Sequence, residues 1–210
     1  MRAQRIYLAV FSMLLAGIAG CGGGSNTADP GPDPEPVIES RTVDLLDYVA
    51  DSIRYVQAFS EGYFVPTASE LDQFSSIVIN LINQDPQAAQ LAAGNIGFRL
   101  FRVIDTGAGD NELYCLEEVA LRGQGFYCVD RDSTNAHHIS APHPLFDSRT
   151  NTESVAVMRG TGARFLSLST THRCSNVATT SCSGTTSVCG ASGAYKVSDL
   201  AHNVDSFFHH

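Results

Sequence analysis

The sequence predicts a mixed α/β fold in which N-terminal helices precede a β-hairpin and a parallel strand–helix–strand unit. Three patterns support this prediction. Apolar residues recur at helical spacing before residue 95, they lie in short strand-like runs between 98 and 129, and strand-like and helical segments alternate from residue 136. Residues 40–210, about 170 residues, are enough for a single domain with its own core.

Three helices are predicted in the first half of the domain. Residues 43–59 carry apolar side chains at helical spacing with charged residues between them, which predicts an amphipathic helix. Thr67 and Glu70 form a capping-box pattern that begins a second helix. Asp85–Pro86 supplies an N-cap and an N1 proline for a short third helix.

Three strands follow the helices. Phe98–Ile104 and Leu113–Val119 are separated by a glycine-rich turn, and Gly125–Val129 returns after a second turn. If the last two strands form a hairpin, Cys115 lies opposite Cys128. A cross-strand disulfide there fits an oxidising periplasm, and loop entropy makes it worth about 3 kcal/mol. Two unrelated buried thiols are the alternative.

The second half of the domain alternates strand and helix. A brief strand, His138–Ser140, precedes a helix that opens at the capping-box pattern Thr150–Glu153, and Ala163–Ser169 is the next strand. A unit of this size predicts a right-handed parallel crossover. Tyr195–Val197 is expected to be a further short strand, leading into a helix capped by Ser198.

Two histidines follow the two predicted parallel strands. His143, between two prolines, comes after the first strand, and His172 comes after the second. Because ligands bind beyond the carboxyl ends of parallel strands, both imidazoles are expected at one edge of the sheet. Asp147 is a candidate metal ligand or a group that orients an imidazole. Arg173 is a candidate contact for an anionic substrate group, with an ordinary surface arginine as the alternative.

The predicted C-terminal helix carries a third group of candidates. His202, Asp205 and His209 share one face of that helix, and imidazole and carboxylate groups are suitable ligands for a divalent metal such as zinc. A solvated polar face is the alternative. Together with His143 and His172, His202 predicts three imidazoles on successive loops, against the alternative that each is merely hydrogen-bonded.

Residues 141–208 resemble a group of uncharacterised bacterial envelope proteins through the segments HPLFDSRT, STTHRCSN, SCSGTTSVCG and SDLAHNVDSFF. The P-H-P…D and T-H-R arrangement is similar to that of N-formylglutamate amidohydrolase-like zinc enzymes. That similarity implies roles at a metal site for His143, Asp147 and His172. The closing ligand pattern of those enzymes is not recognisable in this sequence.

The N-terminus resembles a bacterial lipoprotein signal peptide over residues 1–20. Arg2 and Arg5 precede the apolar run Ile6–Ile18, and small residues before Cys21 complete a lipobox. The resemblance implies cleavage before Cys21 and acylation of that cysteine, so that the protein is anchored in the cell envelope. Gly22 favours the outer membrane. An uncut anchor helix is the alternative.

The composition excludes some partners. Residues 21–39, rich in Gly, Pro and acidic residues, predict a flexible tether. Removal of residues 1–20 would leave 11 basic residues against 22 acidic ones, a net charge of −11 in place of −9. Such a chain has no basic surface for nucleic acid, and its membrane contact is expected through the lipid anchor alone.

The remaining cysteines lie in a loop rich in Ser, Thr and Gly. Two of Cys174, Cys182 and Cys189 are expected to pair, which leaves one free thiol. The chain stops at His209–His210 inside a predicted helix, so a C-terminally truncated domain is also expected.

These observations together predict a metal-dependent hydrolase of amide, peptide or ester bonds. A zinc ion held by His143, His172 and His202 would lower the pKa of a bound water, and Asp147 or Asp205 would orient a ligand or accept a proton. The alternative is a non-catalytic surface lipoprotein whose stapled loop binds a protein or carbohydrate partner.

Overall fold

The computed structural model describes residues 37–210, and this part of the chain is a mixed α/β structure with one six-stranded sheet and four α-helices. The predicted signal peptide, Cys21 and most of the predicted tether lie outside the described residues. The helices are α1 Leu45–Asp51, α2 Ala68–Ile82, α3 Pro86–Asn95 and α4 Thr150–Thr161. The strands are β1 Glu39–Val43, β2 Phe98–Asp105, β3 Asn111–Glu118, β4 Phe126–Val129, β5 Asn135–Ala141 and β6 Ala163–Leu168.

The sheet has the strand order β1-β2-β3-β4-β6-β5. The two outer pairs, β1 with β2 and β5 with β6, are parallel, and the central pairs are antiparallel. Alternate residues of the strands point to opposite faces. One face packs on α1 and α4, and the other packs on α2 and α3. The core therefore forms two layers, one on each side of the sheet.

The helix-start predictions are confirmed for α2 and α3. The Thr67 hydroxyl accepts a hydrogen bond from the backbone N–H of Glu70, whose carboxylate in turn accepts from the N–H of Thr67. Asp85 is the N-cap of α3 and Pro86 is its first residue, and the Asp85 carboxylate accepts a hydrogen bond from the backbone N–H of Ala88. Both caps satisfy N–H groups that have no partner inside the helix.

The helix predicted over residues 43–59 is shorter than expected. It ends at Asp51, and Val56 instead forms a parallel bridge with Thr171. The Val56 N–H donates to the Thr170 carbonyl, and the N–H of His172 donates to the Val56 carbonyl. Val56 is buried in this extended conformation, so its apolar side chain leaves water without the segment being helical.

The hairpin and the disulfide predicted from cysteine spacing are confirmed. Cys115 of β3 lies directly opposite Cys128 of β4, with 4.1 Å between their Cα atoms, and the two are bonded. Cys174 and Cys189 form the second disulfide, which leaves Cys182 as an exposed free thiol. Disulfides persist in oxidising compartments, so these two place the protein outside the cytoplasm.

The strand–helix–strand unit is also present: β5 and β6 are parallel neighbours, with α4 between them in the chain. The capping box predicted at Thr150–Glu153 is wrong. The N-cap is Arg149, whose φ of 70° is left-handed, and no side chain caps the helix. The Thr150 hydroxyl donates to the Asp147 carbonyl instead. The backbone N–H of Thr150 also donates to that carbonyl, so residues 147–150 form a tight turn before the helix.

Strand β1 was missed by the sequence analysis, which assigned Glu39 to the tether. The segment Glu39–Val43 is mostly exposed and has few apolar residues, so it lacks a strand-like pattern. Its backbone pairs in parallel with β2, from Glu39 opposite Phe101 to Val43 opposite Asp105. The segment is therefore held as a strand by pairing with β2, which lies more than fifty residues away in the chain, and not by its own sequence pattern.

The C-terminal predictions are wrong. Tyr195–Val197 is not a strand, and Lys196 makes only an isolated bridge to Thr179. Residues 198–206 form turns, and a 3₁₀ turn at Phe207–His209 replaces the predicted helix. The apolar side chains of this segment share no common face, because Val204 is exposed while Leu200 and Phe207 enter different clusters.

No helix within residues 37–210 has the length and apolarity needed to cross a membrane.

Candidate functional site

The loops that follow β5 and β6 meet at one edge of the sheet, as the parallel pairing requires. His143 comes two residues after β5, and His172 and Arg173 come shortly after β6. Asp199, from the C-terminal segment, connects the two loops through hydrogen bonds to His143 and Arg173. The result is a cluster of polar side chains beyond the carboxyl ends of two parallel strands, where α/β proteins commonly bind ligands.

Asp199 lies at the centre of this cluster. Its side chain is only 2% exposed, and one oxygen, Oδ1, is 2.7 Å from His143 Nε2. The other oxygen, Oδ2, accepts hydrogen bonds from Arg173 Nε at 3.0 Å and Nη2 at 2.7 Å. Burial by itself would raise the pKa of Asp199, but the hydrogen bonds and positive charge of His143 and Arg173 outweigh it and lower the pKa. Asp199 is therefore a carboxylate at neutral pH.

His143 is flanked by two carboxylates. It is buried, with Nε2 bonded to Asp199 and Nδ1 3.5 Å from Asp147 Oδ2. Asp147 is half-exposed, and its backbone N–H donates to the His143 carbonyl, which closes the turn that carries both side chains. When the neutral ring donates from Nε2 to Asp199, its Nδ1 is left as the accepting nitrogen, on the side of the ring near the half-exposed Asp147.

His172 is held differently. Its Nδ1 accepts a hydrogen bond from the backbone N–H of Cys174 at 3.0 Å, and its ring packs edge-on against Phe146 at 5.7 Å. Burial lowers the pKa of His172, and the positive charges of Arg173 and His143 lower it further. The ring is therefore neutral at pH 7, with its proton on Nε2.

The Arg173 guanidinium is paired with the buried Asp199 carboxylate. Its guanidinium donates two hydrogen bonds to Asp199 and lies over the Phe146 ring at 5.4 Å from the ring centre. Its charge is balanced by a buried carboxylate, so the predicted contact with an anionic substrate would have to compete with that pair.

The structure does not bring His202 and Asp205 into this cluster. His202 stacks on Tyr195 with 3.5 Å between ring centres, and its Nδ1 is 3.6 Å from Cys182 Sγ. Asp205 is exposed, and its N–H donates to the Asn203 side chain. The prediction that these residues share a face assumed a C-terminal helix. Because that helix does not form, the prediction is wrong.

The donor atoms do not fit the predicted three-histidine zinc site. The Nδ1 lone pair of His172 is used by Cys174, and the proton on Nε2 leaves that neutral ring no free nitrogen for a metal. Nowhere in residues 37–210 do three or more His, Cys, Asp or Glu side chains converge in an arrangement that could hold a metal ion. His143 Nδ1 and Asp147 are the two donors that remain near each other.

Asp199 is the member of the cluster that sequence analysis missed. It was counted as part of a helix capped by Ser198, although the Ser198 hydroxyl bonds the backbone of Arg173 and Asn176. The available signal was a carboxylate between apolar Val197 and Leu200, because an acidic residue in such surroundings needs a buried partner.

The fold and the cluster define a mixed α/β protein with a buried carboxylate–imidazole–guanidinium group at the parallel edge of its sheet. Comparison of the chain with protein-family models, with curated proteins and with solved structures finds no match.

Proposed function

We propose that this protein is a hydrolase of amide, peptide or ester bonds in the cell envelope, with His143 as the general base. One observation carries the proposal: His143 Nε2 bonds the buried Asp199 carboxylate at 2.7 Å, while Nδ1 lies 3.5 Å from the half-exposed Asp147 carboxylate. A carboxylate that holds one imidazole nitrogen fixes the tautomer and orientation of the ring, and it stabilises the imidazolium that forms when the other nitrogen takes a proton.

The reaction we propose is attack of water on a carbonyl carbon. His143 Nδ1 accepts one proton of the water as its oxygen forms the new bond to carbon. The carbon–nitrogen or carbon–oxygen bond of the substrate then breaks, and the leaving amine or alcohol takes the proton from the imidazolium. Asp199 remains ionised throughout, because Arg173 balances its charge. Asp147 Oδ2, 3.5 Å from Nδ1, is placed to hold the attacking water.

The charge of the chain favours neutral or cationic substrates. The net charge of −9 repels nucleic acid and other polyanions. Peptides and acylated amines are therefore the substrate class that the proposal names.

The experiment compares two histidine substitutions in the full chain. We expect His143→Gln, whose amide can still donate to Asp199, to lower cleavage of a library of internally quenched peptides and acyl p-nitroanilides by at least about 100-fold. His137→Gln is the matched control, because His137 is exposed on β5 and its side chain takes no part in the cluster. Equal activity of His143→Gln and the parent protein would overturn the proposal, as would a complete lack of activity in the parent.

The zinc prediction has a separate test. Metal analysis of protein purified without an affinity tag should find close to one equivalent of zinc if the ion belongs to the site. Less than about a tenth of an equivalent, with unchanged melting on chelation, would contradict the zinc prediction and leave the role proposed for His143 unaffected.

A second candidate function is recognition of a protein or carbohydrate partner. The Cys174–Cys189 bond closes a loop that is exposed over most of its length and is braced by bridges from Thr179 to Lys196 and from Thr186 to Gly193. Retained partner binding in His143→Gln, with loss of binding when residues 176–188 are replaced by a short linker, would favour this function.

A further inference from the structure

A groove of about 370 Å³ lies on the sheet face that carries α2, beside β5 and β6. Its walls are largely aromatic and aliphatic, and His138, Ser140 and Ser167 supply polar atoms from the two parallel strands. The described residues that line the groove include no Asp, Glu, Lys or Arg. The main apolar contributors are Phe74, Val78, Tyr127, Phe165 and Phe207. Such a groove suits an uncharged, mainly apolar ligand.

Ser167, which is buried, and His138, which is exposed, form a hydrogen-bonded pair that lines this groove. His138 of β5 lies opposite Phe165 of β6, and Ser167 is two residues further along β6 on the same face. The distance from His138 Nε2 to Ser167 Oγ is 2.7 Å. Ser167 is buried, with 6% of its surface exposed, and it is one of the residues that line the groove.

The state of His138 suits proton acceptance. Although His138 is exposed as a residue, partial burial of its ring lowers its pKa, and the nearby positive charge of His209 lowers it further, so the imidazole is neutral at pH 7. The ring packs edge-on against Phe165, with 6.1 Å between ring centres, which restricts its orientation. A neutral imidazole within hydrogen-bond distance of a serine hydroxyl is the pairing that activates serine as a nucleophile.

We propose that Ser167 and His138 are the nucleophile and base of a second hydrolytic site, one that takes small uncharged esters with an apolar acyl group. The proposal is independent of the one made for His143, because it uses a different face of the sheet and none of the same residues. The apolar walls would receive the acyl chain, and the polar atoms of the two strands would lie at the ester group.

The reaction has two balanced steps. Ser167 Oγ attacks the ester carbonyl carbon while its proton passes to His138 Nε2, and the ester carbon–oxygen bond breaks as the leaving alcohol takes that proton. Water then attacks the acyl-serine with His138 as base, which releases the carboxylic acid and restores the serine. Because no carboxylate among the groove residues orients His138, we expect slow turnover and a readily captured covalent serine.

The experiment captures that serine. The full chain is incubated with a hexyl p-nitrophenyl phosphonate ester, and the adduct is located by intact mass and peptide mapping. We expect one adduct, on Ser167, absent from Ser167→Ala and formed at least about 100-fold more slowly in His138→Gln. Ser52→Ala is the matched control, because Ser52 is exposed at the end of α1 and does not line the groove.

Hydrolysis of p-nitrophenyl butyrate by the same variants gives a second readout. We expect Ser167→Ala to lose this activity while Ser52→Ala retains it, and His143→Gln is measured beside them. An adduct that persists in Ser167→Ala, or no adduct on a parent protein with a normal melting transition, would overturn the proposal. Loss of the activity in His143→Gln alone would assign ester cleavage to the His143 cluster and also overturn it.

Discussion

At the scale of single residues, one buried carboxylate organises the candidate site. Asp199 joins the loop after β5 to the loop after β6, since His143 and Arg173 each bond one of its oxygens. An ion pair of this kind is costly to break, because removal of one partner leaves the other charge buried without compensation. The same contact therefore supports both the shape of the edge and the chemistry we propose there.

We expect Asp199→Asn to lower the free energy of unfolding by about 3 kcal/mol at pH 7. Folding lowers the pKa of Asp199, so its contribution to stability is present above the unfolded value of 3.8 and is lost as the pH falls through the lower folded value. Urea unfolding between pH 7 and about pH 3 measures both effects, and the acid-dependent loss should be smaller in the variant.

Asp147→Asn is the control for this prediction. The Asp147 side chain is half-exposed and lies 3.5 Å from His143 Nδ1, so its substitution should cost at most about 0.5 kcal/mol. Equal losses in the two variants would contradict the central role of Asp199.

At the scale of helices and strands, the same short motif gives two different results. Thr67 and Glu70 form a complete capping box at the start of α2. Thr150 and Glu153 have the same spacing, yet Thr150 is already inside α4 and its hydroxyl bonds the Asp147 carbonyl. The difference lies in the preceding chain, because the loop from His143 to Arg149 sets where α4 can begin.

We expect Thr67→Ala to destabilise the protein by about 1 kcal/mol, the usual cost of a lost N-cap. Thr150→Ala should cost less than about 0.5 kcal/mol, because no helix N–H loses its partner. Urea unfolding of the two variants side by side measures this difference. A larger effect at Thr150 would mean that its bond to Asp147 stabilises the site loop more than a cap stabilises α2.

At the scale of the whole molecule, a two-layer core surrounds a mixed sheet that is crosslinked by Cys115–Cys128, and a second disulfide secures the loop beside the His143 cluster. Both bonds require an oxidising compartment. The lipobox-like N-terminus supports the more specific proposal of a lipid-anchored protein of the cell envelope. In this proposal Cys21 carries the lipid and the outer membrane is the location.

We expect Cys21→Ser to abolish acylation, so that the protein accumulates as an uncleaved precursor or is released in soluble form with an unchanged fold. Two acyl chains are enough for stable anchoring, whereas one is marginal. Mass spectrometry of the mature N-terminus and fractionation of cells expressing each form are the measurements. An unmodified Cys21, or cleavage at another position, would contradict the anchor and the location that depends on it.

The parts of the fold that were predicted correctly from the sequence are those that depend on local patterns of residues. Capping at Thr67 and Asp85 and the strand spacing that places Cys115 opposite Cys128 depend on residues close together in the chain. The apolar residues of the C-terminal segment were also recognised, but their spacing suggested a helix. Asn203 and Ser206 instead bond nearby backbone carbonyls and hold the segment in turns.

The sequence by itself therefore determined the fold class, two helix starts, the hairpin, the first disulfide and the positions of His143 and His172 after parallel strands. Only the tertiary structure decided that β1 is a strand, that α1 ends at Asp51, and that His202 lies beside Cys182 and Tyr195. It also decided that Asp199 is the partner of His143, 56 residues away. The physical reason is that caps and periodicity act within a few residues, whereas strand pairing and buried charge pairs depend on which distant segments the packed core brings together.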